Sequence, residues 1–423
     1  MPGVDSGQSG TTVGTHLSGI HPYPAMVADE LAVQLAQKFV SRRSSVLDPF
    51  CGSGRLLTAS VNAARLVGID ANPLAWLISV AKLGQPDVAV LREFLASIST
   101  RPPSARVKPR AFLEDRQVIW FSEEATLGLS QLISAINRRR FDQDTLHIVA
   151  VVLSATARES SYARRSGWKL HRASSLAREQ RVSDPVHVFR RRLGKCISDL
   201  ERHARKARAA EIIRGSAIRA LGALARESFD VILTSPPYGD SRTTVQYGAA
   251  SELCLSVVRH LRGLGGLFEF GRTIDALCLG GRSPDTLEIE RRYWAGSRKN
   301  PSYDRVARFL SEYAATVAAM AGTLRHGGRA VLIVGRRSSG GFRLKLDEFT
   351  VDAFAAHGFE LEERFERDIQ NKRLPTHINR FARASDEAAR EKGIVRTFDR
   401  DIIVVMKKTG RSTPPARRLA ARS

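Results

Sequence analysis

Two consecutive segments, SSVLDPFCGSGRLLTASVNAA from Ser44 and RLVGIDANPLAWLISVAKL from Arg65, set the tightest limit on what this chain can fold into. Each has an apolar run of strand length, an acid at the end of that run, a turn, and then an apolar pattern of helical period. Strand–turn–helix units in tandem, with strands apolar on both faces, require a parallel sheet covered by helices on both sides. The scheme returns at AEIIRGSAI from Ala210, FDVILTSPPY from Phe229 and GGRAVLIVG from Gly327. GFELEERFER from Gly358 and RDIIVVMKK from Arg400 read as two closing strands. An amphipathic helix precedes the first strand, because Val27, Leu31, Leu35 and Phe39 fall at helical spacing behind the proline-punctuated HPYPA. Another is expected near 303–324.

Composition divides the chain further. Residues 1–18 are a Gly/Ser/Thr-rich tail, 19–86 the first α/β half, and 87–210 an arginine-dense, mostly helical insertion. The arginines cluster as NRRR (137–140), YARRSGWKLHR (162–172), FRRRLGK (189–195) and ERHARKARAA (201–210). Residues 211–408 form the second α/β half, broken by a Gly- and Arg-rich segment expected to be irregular over 239–300. A basic tail, 409–423, is expected to be disordered.

The formal net charge of +23 calls for a polyanionic partner, nucleic acid first. Four cysteines without a CxxC pair offer neither a zinc site nor a disulfide framework. No signal peptide opens the sequence, and the apolar run LHIVAVVLSATA from Leu146 is too short to span a bilayer. A soluble, cytoplasmic protein without membrane attachment is the expectation.

The strand ends carry the chemistry. Asp48 closes one strand and is followed by Gly52 and Gly54, where ligands of open α/β sheets approach the backbone. The turn is not GxGxxG and no GK[ST] follows, which disfavours dinucleotides and nucleoside triphosphates. Asp70 closes the next strand, where a carboxylate accepts the hydroxyls of a ribose. A cofactor with a ribose and no pyrophosphate fits this pair, and S-adenosylmethionine is such a molecule. In TSPPY, two prolines fix the backbone and remove two N–H groups directly after an apolar strand. Rigid carbonyls and the Ser235 hydroxyl then form a cluster of acceptors suited to an exocyclic amino group, with Tyr238 as a face for stacking.

The set HPYPA, DPFCGSG, GIDANP and TSPPY resembles the amino-group DNA methyltransferases, over roughly 20–85 and 210–410. The resemblance implies a class I methyltransferase (Rossmann-like) fold, with a mostly parallel seven-stranded sheet and the Arg-rich helical subdomain inserted into it. It implies S-adenosylmethionine as cofactor, held by His21, Pro22, Tyr23, Pro24, Asp48, Pro49, Phe50, Gly52, Gly54, Asp70, Ser216 and Thr234. Ser235, Pro236, Pro237 and Tyr238 would bind the target base. The serine form of the motif is associated with cytosine N4, which is the expected target; adenine N6 is the alternative. The sequence departs from the pattern at Arg55, where threonine is common after GSG, and at Met26, where lysine is frequent. It departs again at Ser216, where an aspartate often serves the adenine end of the cofactor.

Direct transfer to a base flipped out of double-stranded DNA is the expected reaction, within a restriction-modification system that can include a cognate endonuclease. A monomer suffices for it. Arg164, Arg165, Lys169, Arg172, Arg242, Lys372 and Arg373 are candidate DNA contacts. Carbon-5 cytosine methylation is rejected, since none of the four cysteines follows a proline. An RNA guanine-N2 methyltransferase and a nucleic-acid-binding protein with a degenerate methyltransferase fold are the rival readings.

Overall fold

The computed structural model describes residues 17–24, 26–99, 119–164, 170–176, 184–202, 209–239, 247–268, 274, 279, 287–368, 377–379, 394–396 and 400–410. Its centre is one seven-stranded sheet. The strands are β1 (Ser45–Asp48), β2 (Arg65–Asp70), β3 (Ala210–Arg214), β4 (Phe229–Thr234), β5 (Leu324–Val334), β6 (Phe359–Asp368) and β7 (Arg400–Lys408). They lie in the order β3-β2-β1-β4-β5-β7-β6. Pairing is parallel from β3 through β5, while β7 runs antiparallel to both β5 and β6. A mostly parallel sheet in this order is the class I methyltransferase arrangement, and the fold expected from the sequence is the one observed.

Alternation along the strands explains the two covered faces. Leu47, Val67, Ile232, Leu332 and Val404 point to one side, into a core shared with the helices Ala217–Ala223, Tyr303–Thr323 and Leu346–Ala355. Val46, Leu66, Val231, Val331 and Ile403 point to the other, against Asp29–Phe39 and Arg55–Ala59. Both sets are apolar because neither face sees water.

A third core lies within a helical layer built mostly from the chain segment that links β2 to β3, joined by Leu17, Ile20 and buried residues between Leu253 and Phe268. It contains the helices Val88–Ser97, Glu123–Asn137, Gln143–Ser160 and Pro185–Arg202, packed onto Pro73–Leu83. The apolar run from Leu146 is a helix buried on nearly every side. Among the described residues, no single helix is long and apolar enough to cross a membrane.

Periodicity missed several short or fully buried elements. Tyr247–Leu255, within the segment expected to be irregular, is a helix. Gly248, Ala250, Ser251, Leu253, Cys254 and Leu255 are all buried in it, so no polar stripe marks its period. The hairpin Arg337–Ser339 with Phe342–Leu344 was too short to register, and Leu346–Ala355 was hidden behind it.

Candidate active site

The carboxyl ends of β4, β1 and β2 meet at one cavity of about 460 Å³. At the end of β1, Asp48 is 1% exposed. Its Oδ1 accepts from the Thr234 hydroxyl at 2.6 Å and from the Phe50 N–H at 3.2 Å. At the end of β2, the Asp70 carboxylate accepts from Gly52 N at 2.8 Å and from Asn72 N at 2.7 Å. The turn after β1 is thereby fastened to the acid at the end of β2. Gly52 and Gly54 both have positive φ, 52° and 72°. At Gly54 a Cβ would stand 2.8 Å from Ser79 Oγ, so glycine is required for conformation and space together.

Burial raises the Asp48 carboxyl to about 7 and the Asp70 carboxyl to about 6, against the hydrogen bonds that favour their ionised forms. Two acids poised near neutrality in one cavity fit a ligand that brings positive charge.

Directly after β4, Ser235, Pro236, Pro237 and Tyr238 line the same cavity. The Ser235 and Tyr238 hydroxyls are 3.2 Å apart, and Tyr238 is half-buried. Burial pushes the Tyr238 hydroxyl above the ordinary phenol range, so it stays protonated. Opposite, Tyr23 stacks on Tyr247 with ring centroids 5.8 Å apart. Asn72 Nδ2 donates to the Tyr23 hydroxyl at 3.1 Å and to the Ser251 hydroxyl at 3.0 Å, joining three chain segments at the rim.

Of the residues the sequence assigned to the cofactor, Tyr23, Pro24, Asp48, Pro49, Phe50, Gly52, Asp70 and Ser216 line this cavity. His21, Pro22, Gly54 and Thr234 are not among its lining residues. His21 is 2% exposed; its Nδ1 lies 2.6 Å from the Pro22 carbonyl and its Nε2 lies 3.1 Å from the Ser154 hydroxyl. Burial lowers this imidazole to about 3, so it is neutral, with Nδ1–H donating and Nε2 accepting. Its place is a joint between the N-terminal segment and the helical layer.

Arg164 and Arg172 are exposed beside the antiparallel bridge Ala163–Arg172, away from the cavity lining. Arg165, Lys169, Arg242, Lys372 and Arg373 lie outside the described residues. No sequence signal pointed to Tyr247, which sits on the missed helix, nor to Ser311, Glu312 and Ala315. Asn72 was visible in GIDANP without a role. No group of three or more His, Cys, Asp or Glu side chains able to hold a metal occurs among the described residues.

Sheet order and the cavity at the strand ends together give the arrangement of the class I methyltransferase fold. In particular, the chain is 31% identical to the Type II methyltransferase M.MvaI of Kocuria varians, in an alignment of 256 residues. That alignment covers 55% of this chain and 55% of that protein, so the chain spans about half the length of the curated relative it matches. Among solved structures it is similar to the rRNA methyltransferase aviRa from Streptomyces viridochromogenes, at 12% identity and a TM-score of 0.32. That match covers 95% of this chain and 91% of aviRa. A protein of Thermus thermophilus described as a DNA modification methylase matches at 16% identity and a TM-score of 0.23, over 48% of this chain and 54% of that one. No protein-family model matches the chain.

Proposed function

We propose that this chain transfers a methyl group from S-adenosylmethionine to the exocyclic amino group of a base flipped out of DNA, with cytosine N4 as the target. The observation that carries the reading is that the Ser235–Tyr238 segment and the two strand-end acids, Asp48 and Asp70, line one cavity. A rigid set of acceptors thus faces the place where a ribose-bearing cation fits. The similarity to a Type II methyltransferase supports DNA modification, and a companion endonuclease is part of the proposal. The choice of cytosine rests on the serine at the head of the motif.

The cofactor fits the residues present: Gly52, at positive φ, lies on the cavity wall, and acids near neutrality await a cation. Bound there, it supplies an electrophilic methyl group. The chain's own residues do the rest. Asp70, at the end of β2, faces the ribose, and Asp48 faces the positively charged amino-acid portion. The Ser235 hydroxyl and the Pro236 carbonyl accept the two hydrogens of the target amine and aim its lone pair along the line of transfer. Positive charge grows on that nitrogen, oxygen dipoles fixed by two prolines stabilise it without reorganising, and the methylated amine then gives up its surplus proton to water. Tyr238 offers a ring face to the base. A single copy of the chain is proposed to suffice. The exposed Arg164 and Arg172 are proposed to contact phosphates, as are Arg165, Lys169, Arg242, Lys372 and Arg373.

The test is incubation with methyl-labelled cofactor and either duplex DNA or RNA, followed by nuclease digestion and nucleoside chromatography. N4-methylcytosine is expected. N6-methyladenine would correct the base, and label in RNA alone would overturn the DNA reading. Ser235→Ala is expected to bind cofactor normally and to lose about a hundredfold or more in rate; full activity would remove Ser235 from its role.

A further inference from the structure

The two departures at Arg55 and Met26 occupy one place in the structure. Arg55 Nη2 lies 3.5 Å from Met26 Sδ, with both residues on the cavity wall. Arg55 is the one cationic side chain among the described residues lining that wall. Its side chain is 11% exposed. Nη1 donates to the Val27 carbonyl at 2.8 Å and Nη2 reaches the Ser18 carbonyl at 3.5 Å. Its Nε, 3.2 Å from Asp29 Oδ1, is buried without a hydrogen-bond partner. A guanidinium has five N–H donors, and these contacts leave some of them unused. Nε is shielded and faces the Asp29 carboxylate, so the donors left for a ligand are those on Nη1 and Nη2.

We propose that Arg55 binds the carboxylate of the cofactor's methionine portion. Met26 is the other half of an exchange in which the cation has moved from the N-terminal segment to the Gly-rich turn. The proposal rests on the S-adenosylmethionine reading of the cavity and deepens it. The cofactor is a zwitterion at that end: Asp48 suits its ammonium group and nothing else cationic lines the described wall for its carboxylate. Burial, and then the proximity of Arg55, bring the nearby Lys82 down to about 7. Asp29 supplies a counter-charge to Arg55 on the side away from Met26's sulfur contact.

The experiment compares binding of S-adenosylhomocysteine with binding of its decarboxylated counterpart, by calorimetry on the full chain. The wild type is expected to prefer the carboxylated ligand roughly tenfold or more. Arg55→Gln is expected to bring the two affinities within about threefold, while Arg55→Lys keeps most of the preference. The double substitution Met26→Lys with Arg55→Thr is expected to restore it. A wild type that binds both ligands equally well overturns the inference, and this holds even if the variants fail to fold. Equal weakening of both ligands in Arg55→Gln also overturns it, leaving Arg55 as a latch on the segment 18–29. A double variant without preference overturns the exchange alone. Binding of neither ligand by the wild type defeats the cofactor reading itself.

Discussion

The Thr234 hydroxyl donates to Asp48 Oδ1 at 2.6 Å, joining the last residue of β4 to the last residue of β1. The two strands are parallel neighbours, with Val231 opposite Val46. The segment proposed to grip the base begins one residue later, at Ser235. One short hydrogen bond therefore sets the spacing between Asp48, proposed to face the cofactor, and the acceptors proposed to face the base.

Thr234→Val keeps the shape and removes that donor. Asp48 then loses one of two stabilising partners in a buried site, and its carboxyl rises further above about 7. The expected cost is about 1–2 kcal/mol of folding stability at neutral pH, with a several-fold loss of cofactor affinity. Urea titration and calorimetry measure the two effects separately.

Asp48 and Asp70 also set a pH dependence. Both hold their protons in the folded state at pH values where the unfolded chain, with carboxyls at about 4, has released them. Raising the pH from about 4 to about 7 therefore lowers the stability of the ligand-free protein through these two groups. A cationic ligand reverses the sign, because it favours the ionised acids. Stabilisation by a cofactor analogue with an amine in place of the sulfonium is expected to grow from pH 5 to pH 8. Proton release on binding near pH 6, seen by calorimetry in buffers of differing ionisation enthalpy, checks the same point. An unchanged thermal shift across that range would remove both acids from the cofactor contact.

His21 behaves in the opposite sense. Its imidazole is neutral down to about 3 because of burial, so stability through this group falls as pH drops below the ordinary histidine value. The ring nitrogens are expected to report an Nδ1–H tautomer at pH 5 by NMR. His21→Ala leaves Ser154 without its 3.1 Å partner and is expected to cost about 1–3 kcal/mol, measured by chemical denaturation.

Asp347 is fully buried between two arginines. Arg336 clamps it with bonds of 2.9 and 2.8 Å, Arg364 contacts Oδ2, and Arg336 is the leading cause that holds its carboxyl below the usual range against burial. Asp347→Ala strands these cations against the helix Leu346–Ala355 and is expected to cost about 3–5 kcal/mol. Because the native carboxyl is depressed, this stabilisation is present at neutral pH and is lost only as pH falls below about 4. Thermal scans of the wild type and variant are expected to differ less at pH 3 than at pH 7.

What was legible in the sequence follows from what is periodic. Asp48 and Asp70 stood out because apolar strands end on them, and the prolines of TSPPY stood out because a strand cannot continue through them. Tyr247 was invisible for the reverse reason: a helix buried on most sides has no stripe to betray it. Arg55 looked like a mere departure from pattern until its contact with Met26 placed both on one wall. His21 stood in a motif, and only the long-range contact to Ser154 shows which way its ring turns.

The cavity wall draws on residues from Tyr23 to Ala315. Ribosomal synthesis would deliver the first of these long before the last. The segment around His21 must therefore wait for Ser154, and Asp48 for Thr234, contacts separated by 133 and 186 residues. Such distant closures are slow relative to local helix formation. A chain lacking the helix Tyr303–Thr323 would lack Ser311, Glu312 and Ala315 and leave the cavity open on that side, so the pocket is complete only when both halves of the sheet are in place.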